Sequence, residues 1–184
     1  MKRFVCVLVT VIATLAVAFA QKTTTAKAKS SEIVVVYFSA TGTTAAKARL
    51  LSEAVGGKLY EITPAKRYSS ADLDWRNKSS RCSVEMKDSK SRPGIGGNPL
   101  SGWKNYKVVY LGFPIWWNQA PRIINTFMEK YDFTGKAVIP FATSGGSSIS
   151  HSEQELRKAY PNISWQKGKL LNGMDKKDME QWLK

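Results

Sequence analysis

Three short stretches carry residues whose types and spacing suit chemistry. The first is "SATGTT", in which Ser39, Thr41, Thr43 and Thr44 surround Gly42, directly after "VVVYF" and just before an alanine-rich run. A turn between a strand and a helix start presents unpaired backbone N–H groups, and the helix dipole adds positive potential. Four hydroxyls add donors, and glycine lets the backbone approach a ligand closely. This is a nest for a phosphate. The loop lacks the lysine of a P-loop, so it does not point to nucleoside triphosphate hydrolysis. The same residues also suit an ordinary Ser/Thr-capped turn.

The second stretch is "GFPIWWN", with Trp116 and Trp117 adjacent. Two neighbouring indoles in a loop suit a planar aromatic ligand that stacks with offset geometry. The alternative is one indole in the core and the other on the surface. The third is "TSGGSS", where Gly145 and Gly146 between Ser144 and Ser147 expose backbone donors and acceptors to the polar edge of a ring. Its alternative is a plain flexible loop. Phosphate donors, a stacking surface and polar backbone edges together describe a site for a phosphorylated aromatic cofactor.

The elements that must position these loops follow from patterning. Apolar runs read as strands in "EIVVVYF", "KLYEITP", "YKVVYLGF", "GKAVIPFAT" and "ISWQKGK". Between them lie helical stretches. "TAAKARLLSEAVGG" puts Ala48, Leu51 and Val55 on one face and stops at Gly56 and Gly57. "QAPRIINTFMEKY" groups Ile123, Ile124, Phe127 and Met128. "SISHSEQELRKAY" reads as capped by a serine near Ser150 with Glu153 as capping-box partner, and "MDKKDMEQWLK" as capped by Asp175. Alternating strands and helices imply a parallel sheet covered on both faces. Ligands then sit beyond the carboxyl ends of the strands, where all three loops fall. Residues 65–105 break the pattern. They are polar and poor in aliphatics, and their "PGIGGNP" reads as a turn region.

Length and composition bound the rest. The chain has 184 residues, enough for one domain with a proper core, and a hydrophobic content of 43% fits a globular class. Residues 1–20 read as a signal peptide: "MKR", an apolar run, then "AFA" before Gln21. An uncleaved membrane anchor is the alternative. Residues 21–31 are a flexible basic leader. Cleavage removes Lys2 and Arg3 and no acid, so the formal charge falls from +14 to +12. That balance favours anionic partners, but no basic run or nucleic-acid motif is present, so nucleic acid is not expected. Cys82 would be the single cysteine after cleavage and His151 is the one histidine, which excludes an internal disulfide and the usual zinc sites.

With the loops in this order, the sequence resembles the flavodoxin family, in particular members with a "GFPIWW" loop and a "TSGGS" loop. The family's phosphate loop, Ser/Thr-x-Thr-Gly-x-Thr, is matched by Ser39 to Thr44. Arg92-Pro93, Tyr106, Pro121, Phe127, Gly135-Lys136, Pro140-Phe141 and Trp182-Leu183 match as well, so the likeness spans residues 32–184. It implies a three-layer α/β sandwich on a five-stranded parallel sheet of order 2-1-3-4-5, with FMN at the carboxyl ends of its strands. By this likeness Ser39, Thr41, Gly42, Thr43 and Thr44 hold the phosphate. Pro114, Ile115, Trp116 and Trp117 lie beside the isoalloxazine, with Trp116 the stacking residue, and Ser144, Gly145, Gly146 and Ser147 bond its other side. No acid/base residue is required, because the protein tunes the flavin and the flavin moves the electrons.

Three features depart from the family pattern. Typical members are acidic, and this chain is basic, so its redox partner protein is expected to be acidic. Typical members are cytoplasmic, and this one carries an export signal, which implies a periplasmic or secreted protein. The unusual stretch 65–105 could cover the flavin or receive a substrate, with Tyr68 and Trp75 packed near the ring or, alternatively, padding the surface. The expected function is an exported, FMN-binding electron carrier. The competing readings are an FMN-dependent NAD(P)H or quinone reductase, and a flavin-free module that binds an anionic partner through its basic surface.

Overall fold

A computed structural model describes residues 28–184. The segment read as a signal peptide, residues 1–20, and most of the expected basic leader lie outside the described residues. Five β-positions build one parallel sheet. Strand β1 (Ile33–Tyr37) lies between β2 (Lys58–Glu61) and β3 (Val108–Pro114); β4 (Ala137–Thr143) follows β3. The outermost position holds two short pieces, β5 (Ser164–Trp165) and β6 (Lys169–Leu170), both paired to β4. The order is therefore 2-1-3-4-5, all parallel.

The fifth strand is broken for a local reason. Ala137 N–H donates to Lys107 on the β3 side, so Val138, Pro140 and Ala142 face outward by alternation. Val138 O accepts from Gln166 N–H and Ala142 O from Leu171 N–H, each at 2.8 Å. Pro140, midway, has no N–H to donate. Gly168 passes so close to it that a Cβ there would stand 2.6 Å from Pro140 O.

Both sheet faces are covered. Val34, Val36 and Phe38 join Val109, Leu111 and Phe113 beneath α3 (Arg122–Lys130) and α4 (Ser150–Ala159). Val35, Tyr37, Tyr110 and Phe141 pack beneath α1 (Thr43–Val55) and α5 (Lys176–Trp182). β1 is buried on both faces, which is why its sequence is apolar without alternation. Gly112 makes room for Phe141: a Cβ at 112 would meet that ring at 2.1–2.7 Å.

Most caps agree with the patterning. Gly56 closes α1 in the left-handed region at φ 65°. Asp175 caps α5 in a capping box with Asp178. The cap expected for α4 is absent. Its N-cap is Ile149, with no side-chain cap. Glu153 instead turns its carboxylate to Gly168 N–H at 2.7 Å, and Ser152 is fully buried.

Residues 65–105 hold more order than their composition suggests. A seven-residue helix, α2 (Arg81–Lys87), is capped by Ser80, whose side chain accepts from Ser83 N–H. The "PGIGGNP" stretch is more than a turn. Pro64 and Ile95 form an antiparallel bridge, and Gly96 N–H donates to Thr63 O at 2.8 Å, so the excursion is zipped back onto the end of β2.

Candidate cofactor cleft

The loop after β1 ends at Gly42, the N-cap of α1, with φ 92°. That left-handed geometry favours glycine. An added Cβ there would meet nothing within 4 Å, so the loop's outer side is open. Ser39 Oγ accepts from Gly42 N–H at 3.1 Å, and the hydroxyls of Thr41 and Thr43 lie 3.4 Å apart on the exposed rim. The first-turn N–H groups of Thr43, Thr44 and Ala45 have no acceptor within the helix by geometry. Thr44 differs from the other three: its side chain points inward. It is 1% exposed, and its hydroxyl is bonded to that of Thr143 at the end of β4, at 2.8 Å. What Thr44 presents to the loop is its backbone N–H.

The loop after β3 is a tight turn. Trp116 and Gln119 exchange both backbone hydrogen bonds at 2.9 Å. The central residues, Trp117 and Asn118, both have positive φ, 47° and 61°, the pattern of a type I′ turn. Asparagine tolerates this conformation, whereas for tryptophan it costs roughly 1–2 kcal/mol. Ser152 pins the turn from α4 by donating to Asn118 O at 2.8 Å. Trp116 is half-buried and meets Phe38 and Tyr68 edge-on, with centroids 5.7 and 5.5 Å away. Trp117 stands out, 46% exposed.

The loop after β4 is organised by Ser144. Its Oγ accepts from Gly146 and Ser147 N–H groups at 3.1 and 2.7 Å. Asn172, just past β6, clasps the Ser144 backbone through both halves of its amide. Gly145 and Gly146 face open space.

These loops converge on one cleft of about 480 Å³. Ala40 and Thr41 line one side, Pro114, Ile115, Trp116 and Trp117 another, and Gly145 a third. The outer wall comes from residues 65–105 and consists of Leu73, Trp75 and the buried Cys82. Of the two aromatics expected near the ring, Trp75 therefore lines the cleft. Tyr68 instead supports Trp116 from behind. Its hydroxyl donates to Glu85 Oε2 at 2.5 Å, and the Arg81 guanidinium sits 3.9 Å above its ring. Burial first, then the Glu85 contact, pushes the Tyr68 ionisation far up, so it remains a neutral donor.

Patterning missed Leu73, Cys82, Ser152 and Asn172. No local signal marks them, because each reaches the site through the fold. His151 is exposed, and among the described residues no cluster of His, Cys, Asp or Glu is placed to hold a metal. Several motif residues outside the loops are scaffold. Arg92 forms a two-pronged pair with Glu129 at 2.7 and 2.8 Å. Buried Lys136 donates to the carbonyls of Trp103 and Tyr106 at 2.9 and 2.6 Å.

An open parallel sheet with a cleft at its carboxyl edge, beside the point where chain order reverses between β1 and β3, defines a cofactor-binding α/β protein. A family model described as Flavodoxin matches residues 32–184, and the chain belongs to the flavodoxin family. Solved structures agree. A candidate flavoprotein from Bacteroides uniformis is 59% identical, with a TM-score of 0.81 over 84% of this chain and 99% of that one. A second, from Bacteroides eggerthii, is 57% identical with a TM-score of 0.80 over 83% and 96%. A flavoprotein from Lactobacillus acidophilus, solved in complex with FMN, shares the fold at 18% identity, with a TM-score of 0.67 over 84% and 99%. A comparison with curated proteins found no match. Among the described residues no helix is long and apolar enough to cross a membrane.

Proposed function

We propose that this flavodoxin binds FMN in the cleft, is exported, and carries electrons to or from an acidic protein partner. The observation that carries the reading is the convergence of three unlike loops: an open N–H nest on one side, paired indoles on another, and a glycine-rich backbone edge on a third. The residues present fit a phosphorylated flavin. Ser39, Thr41 and Thr43 offer hydroxyls, and the start of α1 offers N–H groups to the phosphate. Pro114 to Trp117 give the ring a flat apolar side. Gly145, in a loop that Asn172 fixes at Ser144, brings backbone to its polar edge.

When bound, FMN supplies the electron transfer. The protein's work is placement and exclusion of water. The Trp75 wall and the pinned Trp116–Gln119 turn shield the ring, and the loops supply dipoles without a titrating side chain. Support for the partner's charge is the formal net charge of +14, and support for export is the character of residues 1–20.

The test is titration of the flavin-free chain with FMN while flavin fluorescence is followed. One FMN per chain and saturable quenching are expected. Thr41→Ala should weaken binding about tenfold or more, as for loss of a hydrogen bond to a charged group. Trp116→Ala should weaken it too. Absence of saturable quenching would refute the cofactor. Rapid oxidation of NADPH by the holoprotein alone would refute the carrier role.

A further inference from the structure

A second pocket, of about 800 Å³, adjoins the cleft and shares two of its walls, Trp75 and Trp117. These indoles are 65% and 46% exposed, large apolar groups left facing solvent. The rest of the lining includes Met86 and three cations, Arg76, Lys78 and Lys87. No acid lines it. Of the acids nearest in sequence, Asp74 accepts from the backbone N–H of Arg76, Asp88 from that of Lys90, and Glu85 is held by Arg81 and Tyr68. The ion pairs among the described residues are Arg81–Glu85, Arg92–Glu129, Lys107–Glu32 and Arg157–Glu153, so none of the three cations is held in a direct ion pair. The Arg76 guanidinium lies 5.2 Å from the Trp75 ring centroid, so charge and aromatic surface are one unit.

We propose that this pocket binds a small planar aromatic anion, of the class of aromatic carboxylates and sulfonates. Its ring lies against Trp75 and Trp117, and its acid group meets Lys78 and Lys87. A recess of this size suits a small molecule. The inference extends the FMN reading, because such an occupant would be separated from the flavin ring by the shared indoles. Binding itself does not require flavin.

The experiment is calorimetric titration of the full chain with anthraquinone-2-sulfonate, with FMN present at saturation and with FMN absent. One site is expected in both states. Affinity should fall about tenfold in the double variant Lys78→Gln/Lys87→Gln and with raised salt, while FMN affinity is unchanged. Trp75→Ala should weaken the probe as well. Both lysines are exposed, so the double variant folds normally. Loss of the probe on FMN loading would overturn the proposal by placing the probe in the cofactor cleft. So would unchanged affinity in the lysine variant, or displacement of the probe only by an acidic polypeptide and not by other aromatic anions. If FMN does not bind at all, the cofactor reading fails and the flavin-free titration still decides this one.

Discussion

The hydrogen bond between Thr44 and Thr143 joins the phosphate-side loop to the end of β4 and can be tested as a pair. The hydroxyls lie 2.8 Å apart in residues 1% and 4% exposed. Thr44→Val keeps the shape and removes one hydroxyl, leaving that of Thr143 buried and unpaired. Such an orphan costs about 1–3 kcal/mol, and Thr143→Val should cost a similar amount. Replacing both leaves two apolar groups of the original shape, so the double variant should sit close to wild type. The coupling in the cycle is then the sum of the two single losses, about 2–6 kcal/mol, and favourable to the double variant. For a domain of this size each kcal/mol moves Tm by roughly 2–4 °C, so each single variant should melt about 2–12 °C lower. Urea unfolding of flavin-free protein, read as midpoint shifts at constant slope, gives the four free energies. Additive losses in the double variant would refute the argument, because they would mean that each hydroxyl bonds water or another partner.

Other expectations follow from the same geometry. Gly112→Ala should destabilise by about 1–3 kcal/mol or more, because the added carbon collides with the Phe141 ring; Gly112→Ala/Phe141→Leu should recover part of the loss in the same unfolding assay. Tyr160 has its ionisation pushed up to about 12, chiefly by burial. A raised value means stability is complete below pH 10 and is lost as pH rises toward 12, so Tyr160→Phe should flatten the fall of Tm over that window. Glu129 is held below the usual carboxylate range by Arg92, so its contribution is present above pH 4.5 and fades in more acid solution. That pair is largely solvent-exposed, so Glu129→Gln should shift the acid limb of the Tm profile only slightly.

The site was legible where its chemistry is local. The run from "VVVYF" into "SATGTT" carries both the buried strand and the turn, and Gly42 falls where a positive φ is needed. "GFPIWW" and "TSGGS" could be placed at strand ends because the strands before them are continuous apolar runs. Contacts between distant segments were not legible. Asn172 reaches back 28 residues to Ser144, and Ser152 reaches 34 to Asn118. Neither contact has a periodic signature. α2 was missed because seven residues give too few turns for an apolar stripe, and because its buried side mixes Cys82 and Met86 with the charged Glu85. The α4 cap was misread because Ser150 and Glu153 have the spacing of a capping box, while the fold takes Glu153 for Gly168.

The break that Pro140 and Gly168 impose on the fifth strand also bears on self-association. An open sheet ends in unpaired backbone groups that can template another chain. Here the outermost strand on the β4 side is two pieces of two residues each, interrupted between them. The opposite boundary is four residues long and begins with an exposed lysine, Lys58, with the 65–105 segment zipped onto the chain just past its end. Neither border offers the long, flat, continuous ladder that a second molecule would need to extend the sheet, so the fold carries its own guard against polymerisation into fibrils.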